Sequence, residues 1–190
     1  MIKGNAYFII KRALDIVFSF VLIVLLLPLM ALVYLLIVIT SSGGGIFKQI
    51  RVGRSGERFV CYKFRTMYKD APKYMPSSDF SNKENCITPV GRILRRTSLD
   101  ELPQLFNVLV GDMSLVGPRP LIPNEGEIHC LRKRCGVYSI RPGMTGLAQI
   151  NGRTDIDDIE KIRLDVRYLR HMSLLEDGRI ILGTVLMNYK

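Results

Sequence analysis

The chain has 190 residues, enough for one compact domain with one core and too few for separate catalytic and regulatory domains. Its net charge of +10 and pI near 9.7 would point to nucleic acid in a soluble protein, but beside a long apolar run they point equally to anionic lipid headgroups or phosphorylated substrates. Cys61, Cys86, Cys130 and Cys135 form no CxxC pair and His129 and His171 no HExxH, which argues against a zinc site and for reduced cysteines in a cytosolic domain.

From Ile16 to Ile39 the chain carries no charge, and at about 1.5 Å rise per residue this run can cross a hydrocarbon core of roughly 30 Å. It is too long for a signal peptide and ends in Thr40-Ser41-Ser42-Gly43-Gly44-Gly45. Pro28 lies mid-run, where it removes a backbone hydrogen bond and kinks a helix. Lys3, Lys11 and Arg12 precede the run, and Lys48, Arg51, Arg54, Arg58 and Lys63 follow it, so the positive-inside rule asks both ends to stay in the cytoplasm. A helix broken at Pro28, entering and leaving through one face, meets that demand if the carbonyls near Val24 and Leu25 find partners. An ordinary kinked span is the alternative. The expected architecture is α+β and mostly helical. Residues 1–45 form a re-entrant membrane hairpin, and residues 46–190 a small cytosolic domain with short strands and surface amphipathic helices, packed on the membrane face.

Gly45–Gln49 and Arg58–Phe64 read as extended pieces around a Gly53–Gly56 turn, a basic hairpin. Residues 70–89, with Pro72, Pro76 and Pro89, read as a surface loop. A helix is expected from Val90 to about Arg96 and a second to Val110. Ser98-Leu99-Asp100-Glu101 fits a capping box, but that register puts Pro103 where its missing N–H costs a bond. Starting the second helix at Asp100 moves Pro103 into the tolerated first turn and puts the carboxylate where free N–H groups bind anions. Gly117–Pro120, Arg141–Gly146 and Gln149–Arg153 read as rigid turns presenting arginines suited to oxyanions. Between Asp157 and His171, Ile159, Ile162, Val166 and Leu169 recur at helical spacing.

Six ordered blocks, Lys11-Arg12-Ala13-Leu14-Asp15, Gln49–Gly53, Tyr62–Met67, Ser98–Gln104, Gly111–Pro120 and Arg141–Gly146 running into Gln149–Arg153, together resemble the bacterial sugar transferase family, the monotopic phosphoglycosyl transferases. The resemblance implies that Asp100 attacks the sugar-linked phosphate of a UDP-sugar, releasing UMP, and that polyprenyl (undecaprenyl) phosphate then takes the phosphosugar. It implies Asp100 and Glu101 as the catalytic pair, with Glu101, beside Asp100, holding Mg²⁺ or Mn²⁺. Lys63 and Arg95 match phosphate-contacting positions, and Arg153 one near the nucleotide; Arg65, Arg119, Arg141, Gln149 and Asn151 are further candidates whose turns have conformational uses too. The implied partners are donor, carrier lipid and bilayer, not nucleic acid, at the cytoplasmic face of the bacterial inner membrane. One departure is Leu27, where the family often has Ser before the helix-breaking Pro. The short stretch ahead of the apolar run resembles the branch limited to the catalytic core, which often takes modified N-acetylated sugars. Two other readings remain: a glycosyltransferase using Asp155-Ile156-Asp157 as a DxD metal motif, and a basic membrane-anchored adaptor.

Overall fold

In the computed structural model, which describes residues 5–71, 83–152 and 156–187, the apolar run belongs to helix α1, Asn5–Thr40. The structure gives one helix across Pro28, not two: the proline removes a single donor, and the unbroken run of apolar helix formers on both sides keeps the remaining ladder. Asp15, Ser19, Ile23, Met30, Val33 and Ile37 are buried and Leu26 half-buried, steps of three and four residues that make one stripe along the helix. The other faces expose large apolar side chains, among them Val17, Phe20, Leu25 and Ile39.

The stripe is held at both ends. Near its start, Arg12 donates to the carbonyls of Val108 (2.6 Å) and Leu109 (2.9 Å), and Asp15 accepts from the Leu115 amide at 3.0 Å. Toward its end, Met30, Val33 and Ile37 pack with Phe64 and Leu94.

Strands β1 (Ile46–Val52) and β2 (Arg58–Phe64) form the expected antiparallel hairpin, Ile46 opposite Phe64 and Val52 opposite Arg58. Helix α2 (Pro89–Arg96) starts as sequence chemistry dictates, with Pro89 in the first turn and the Thr88 hydroxyl accepting from the Gly91 amide at 2.9 Å. Of the loop expected over 70–89, residues 72–82 lie outside the described residues.

Helix α3 (Gln104–Val110) begins later than expected. Asp100 lies not in its first turn but in a preceding 3₁₀ turn, Leu99–Glu101, entered through a left-handed Ser98 (φ 56°) whose side chain caps nothing. Pro103 has no N–H to close a bond to the Leu99 carbonyl, so the chain tightens instead: Glu101 donates to Ser98 and Leu102 to Leu99. Both helix-start registers considered from sequence fail for this reason.

Beyond α3, β3 (Ser114–Val116) pairs in parallel with β4 (Gly143–Thr145), so two of the expected turns are joined as a small sheet. The strands approach so closely that a Cβ on Gly143 would lie 2.1 Å from the Gly117 nitrogen. Helices α4 (Glu127–Arg134), α5 (Leu147–Ile150), α6 (Asp158–His171) and α7 (Leu174–Met187) complete the chain. Their core joins Val116, Leu147, Leu164, Tyr168, Met172 and Ile180, with Tyr7 and Phe8 of α1 against it. Of the face expected on α6, Ile162 is buried and Val166 and Leu169 are half-buried and packed on the core, whereas Ile159 is exposed; Leu164 and Tyr168 are buried beside them.

Gly91 sets the seat of α2. A Cβ there would lie 2.1 Å from the backbone oxygen of Thr66, which cannot swing aside. Gly91→Ala is expected to lower stability by about 1–3 kcal/mol or more, read from the urea midpoint; an unchanged midpoint would refute this close approach.

Candidate active site

Three elements bring the central residues together. The 3₁₀ turn supplies Asp100 and Glu101, β2 supplies Lys63 and α2 supplies Arg95. Lys63 Nζ donates to Glu101 Oε1 at 2.5 Å, and the Arg119 guanidinium faces the same oxygen at 3.7 Å. Lys63 can reach because residues alternate along β2 and its side chain projects on the opposite side from the buried Phe64.

Asp100 is half-buried, and desolvation raises its pKa; Glu101 adds to the rise, while Lys63 and Arg95 oppose it. Arg95 is turned into place by its Nε donating to the Thr66 hydroxyl at 2.9 Å. Its own pKa is lowered by burial, a shift that Asp100 opposes.

Two contributors escaped the sequence reading. Arg51, on β1, donates to the Pro120 carbonyl at 3.0 Å and to Gln49 Oε1 at 2.5 Å; burial and then repulsion from Arg119 lower its pKa to about 10. Thr66, buried, orients Arg95. Both lie inside two of the six sequence blocks, Gln49–Gly53 and Tyr62–Met67, but residue type alone does not separate an arginine beside the site from its neighbours.

Other candidates are held elsewhere. Arg65 Nε donates to the Gly44 carbonyl at 2.8 Å and lies over the Phe47 ring, fastening the link between α1 and β1. Arg141 Nε donates to the Gly111 carbonyl at 2.7 Å, in a cluster with Arg12 and Arg54. Gln149 donates to Met144 at 3.4 Å and Asn151 to Leu147 at 2.7 Å, both local turn bonds. Arg153 and Asp155 lie outside the described residues, and Asp157 caps α6 by accepting from the Glu160 amide at 2.7 Å.

A half-buried carboxylate pair within reach of Lys63, Arg95 and Arg119 can bind a phosphorylated ligand and present an oxygen nucleophile to it. The bacterial sugar transferase family model matches residues 6–190. The chain belongs to that family. Curated relatives of this bacterial sugar transferase agree. The undecaprenyl-phosphate galactose phosphotransferase of Salmonella typhimurium is 42% identical over 92% of this chain and 39% of its own length. The exopolysaccharide production protein ExoY of Sinorhizobium fredii is 35% identical over 92% of this chain and 83% of its own. The UDP-glucose:undecaprenyl-phosphate glucose-1-phosphate transferase of Caulobacter vibrioides is 41% identical over 92% and 68%. The chain thus spans about two fifths of the Salmonella relative and most of ExoY.

Proposed function

We propose that this chain is a phosphoglycosyl transferase that moves a phosphosugar from a UDP-sugar to polyprenyl phosphate through a covalent intermediate on Asp100. The observation that carries the reading is the half-buried Asp100-Glu101 pair facing Lys63, Arg95 and Arg119, in a chain with relatives named as undecaprenyl-phosphate galactose and glucose phosphotransferases. An Asp100 oxygen attacks the phosphorus next to the sugar; the phosphoanhydride bond breaks, and UMP leaves with the electron pair. An oxygen of polyprenyl phosphate then attacks the same phosphorus, and the carboxylate is regenerated. Lys63, Arg95 and Arg119 orient the diphosphate and offset its charge.

The donor set suits Mg²⁺, which is ordinarily held by one or two carboxylates together with substrate phosphates rather than by an all-protein cage. Among the described residues no group of three or more acidic, His or Cys side chains converges, so Asp100 and Glu101 are the candidate ligands. When bound, the ion would reduce the repulsion between carboxylate and diphosphate.

The buried stripe of α1 supports a membrane-embedded rather than membrane-crossing reading. A span leaving the domain would bury only the end nearest it, whereas here burial runs from Asp15 to Ile37 and apolar residues face outward all along. On this reading the exposed faces of α1 lie in the cytoplasmic leaflet of the inner membrane, and the carrier reaches Asp100 from the lipid.

A panel of UDP-sugars with polyprenyl phosphate, assayed for nucleotide release, tests the reaction. UMP is the expected product; UDP release would make it a glycosyl transfer, and neither would remove the enzymatic reading. The relatives are named for galactose and for glucose, so the panel holds both, together with N-acetylated sugars.

A further inference from the structure

A cavity of about 30 Å³, larger than the ~10–15 Å³ one water needs, lies against the first turns of α1, and neither Asp100 nor Glu101 lines it. Four cations, Lys11, Arg12, Arg54 and Arg141, line it, against one carboxylate, Asp15. Lys11 is paired with Asp177 at 2.8 Å. Arg12 and Arg141 donate to the carbonyls of Val108, Leu109 and Gly111, and Arg54 stands on the exposed turn between β1 and β2. Among the described residues none of these three arginines has a carboxylate within 4.0 Å. Burial lowers the Arg141 pKa, and the neighbouring Arg12 and Arg54 lower it further, against the pull of Asp15.

A second, independent observation points to a ligand. Ser114 also lines the cavity, is 2% exposed, and its Oγ has no hydrogen-bond partner among the described residues. A buried hydroxyl left unpaired is costly. An oxyanion seated there would accept from that hydroxyl and from the arginine N–H groups, and would offset the surplus positive charge.

We infer that this cavity is a phosphate-binding site, separate from the Asp100 centre, whose ligand is the phosphate of an anionic lipid. Position selects the lipid over a soluble phosphate. Phe8, Lys11, Arg12 and Asp15 on its wall immediately precede the charge-free run that starts at Ile16, which is headgroup depth if that run lies in hydrocarbon. The depth argument rests on the membrane reading above; the charge and hydroxyl arguments do not.

The test uses the full chain in phosphatidylcholine bilayers with and without phosphatidylglycerol, counting retained lipids by native mass spectrometry. Wild type is expected to retain one phosphatidylglycerol, with retention about tenfold weaker in Arg54→Gln and in Ser114→Ala. Ser114→Ala loses only an unpaired hydroxyl, so its melting temperature in neutral bilayers should not fall. Arg58→Gln removes the same charge from the same hairpin outside the cavity and should retain lipid as wild type does. In a parallel arm, inorganic phosphate is titrated in phosphatidylcholine alone. Stabilisation by phosphate that Arg54→Gln and Ser114→Ala both lose, without lipid retention, keeps the site but makes its source soluble. Equal loss in Arg58→Gln, or no difference between wild type and the two cavity variants with either probe, overturns it. UMP release from Asp100 is assayed on the same samples, so failure of the cavity and failure of the transferase reading are separately visible.

Discussion

Asp100→Asn is expected to reduce UMP release by about 10³-fold or more and to abolish the covalent phosphosugar adduct, because the substitution keeps shape and removes the attacking electron pair. The same change should leave the protein at least as stable. Desolvation raises the pKa of Asp100, so at neutral pH the folded state holds a carboxylate that burial disfavours, and a neutral amide removes that penalty. Adduct formation in wild type should therefore decline on acidification, at a pH higher than an ordinary aspartate would set, as the nucleophile takes up its proton. Intact-mass measurement after incubation with UDP-sugar and Mg²⁺ but no polyprenyl phosphate reads the adduct, and a thermal melt reads the fold. An adduct on the Asn variant, or a wild-type profile flat through the carboxylate range, would remove Asp100 from the reaction.

The second large effect lies away from the reacting atoms. Arg132 of α4 is 2% exposed; its Nη2 pairs with Asp165 of α6 at 2.6 Å and its Nη1 donates to the Arg119 carbonyl at 2.7 Å, so a buried ion pair positions the residue facing Glu101. Burial pushes Asp165 up to about 6, against the pull of Arg132. Arg132→Met should cost about 3–5 kcal/mol at neutral pH, since it strands a buried carboxylate. The sign with pH follows. With Arg132 gone, the folded pKa of Asp165 rises further above its unfolded value, so the folded state binds more protons and the variant regains stability as pH falls through and below 7. Adding Asp165→Leu should restore most of the stability, because an apolar pair commonly replaces a buried ion pair at little cost. Transfer should stay reduced in that double variant, because the Arg119 carbonyl has lost its donor. Urea midpoints at two pH values together with UMP release separate these outcomes; a double variant with full activity would show that Arg132 is structural alone.

Much of the site was legible in short-range chemistry. The β1–β2 hairpin followed from short extended pieces around a glycine turn, and α2 from the helix expected over Val90 to about Arg96, although its cap, Thr88, and its first residue, Pro89, fall in the stretch that reads as loop. Lys63, Arg95 and Arg119 were candidates by residue, and the structure brings each to the Asp100-Glu101 pair. Arg65, Arg141, Gln149 and Asn151, named with Arg119 as further candidates whose turns have conformational uses, are bonded elsewhere. An arginine in a glycine-proline turn reads the same whether it faces a substrate or a backbone carbonyl, and that choice depends on residues distant in the chain.

By itself the sequence determined the apolar length of α1, the surplus of positive charge, the presence of a helix from about Val90 to Arg96 and, through six ordered blocks, the family. These depend on neighbours within a turn or on residue order. Only the tertiary structure decided that α1 is one helix buried along a single stripe, that Pro103 displaces Asp100 into a 3₁₀ turn, and that Arg12, Arg54 and Arg141 gather round an unpaired Ser114 hydroxyl. Burial, pairing and desolvation are properties of surfaces that meet across long sequence separations, as between Asp15 and Leu115 or Arg132 and Asp165, and no local pattern encodes which surfaces will meet.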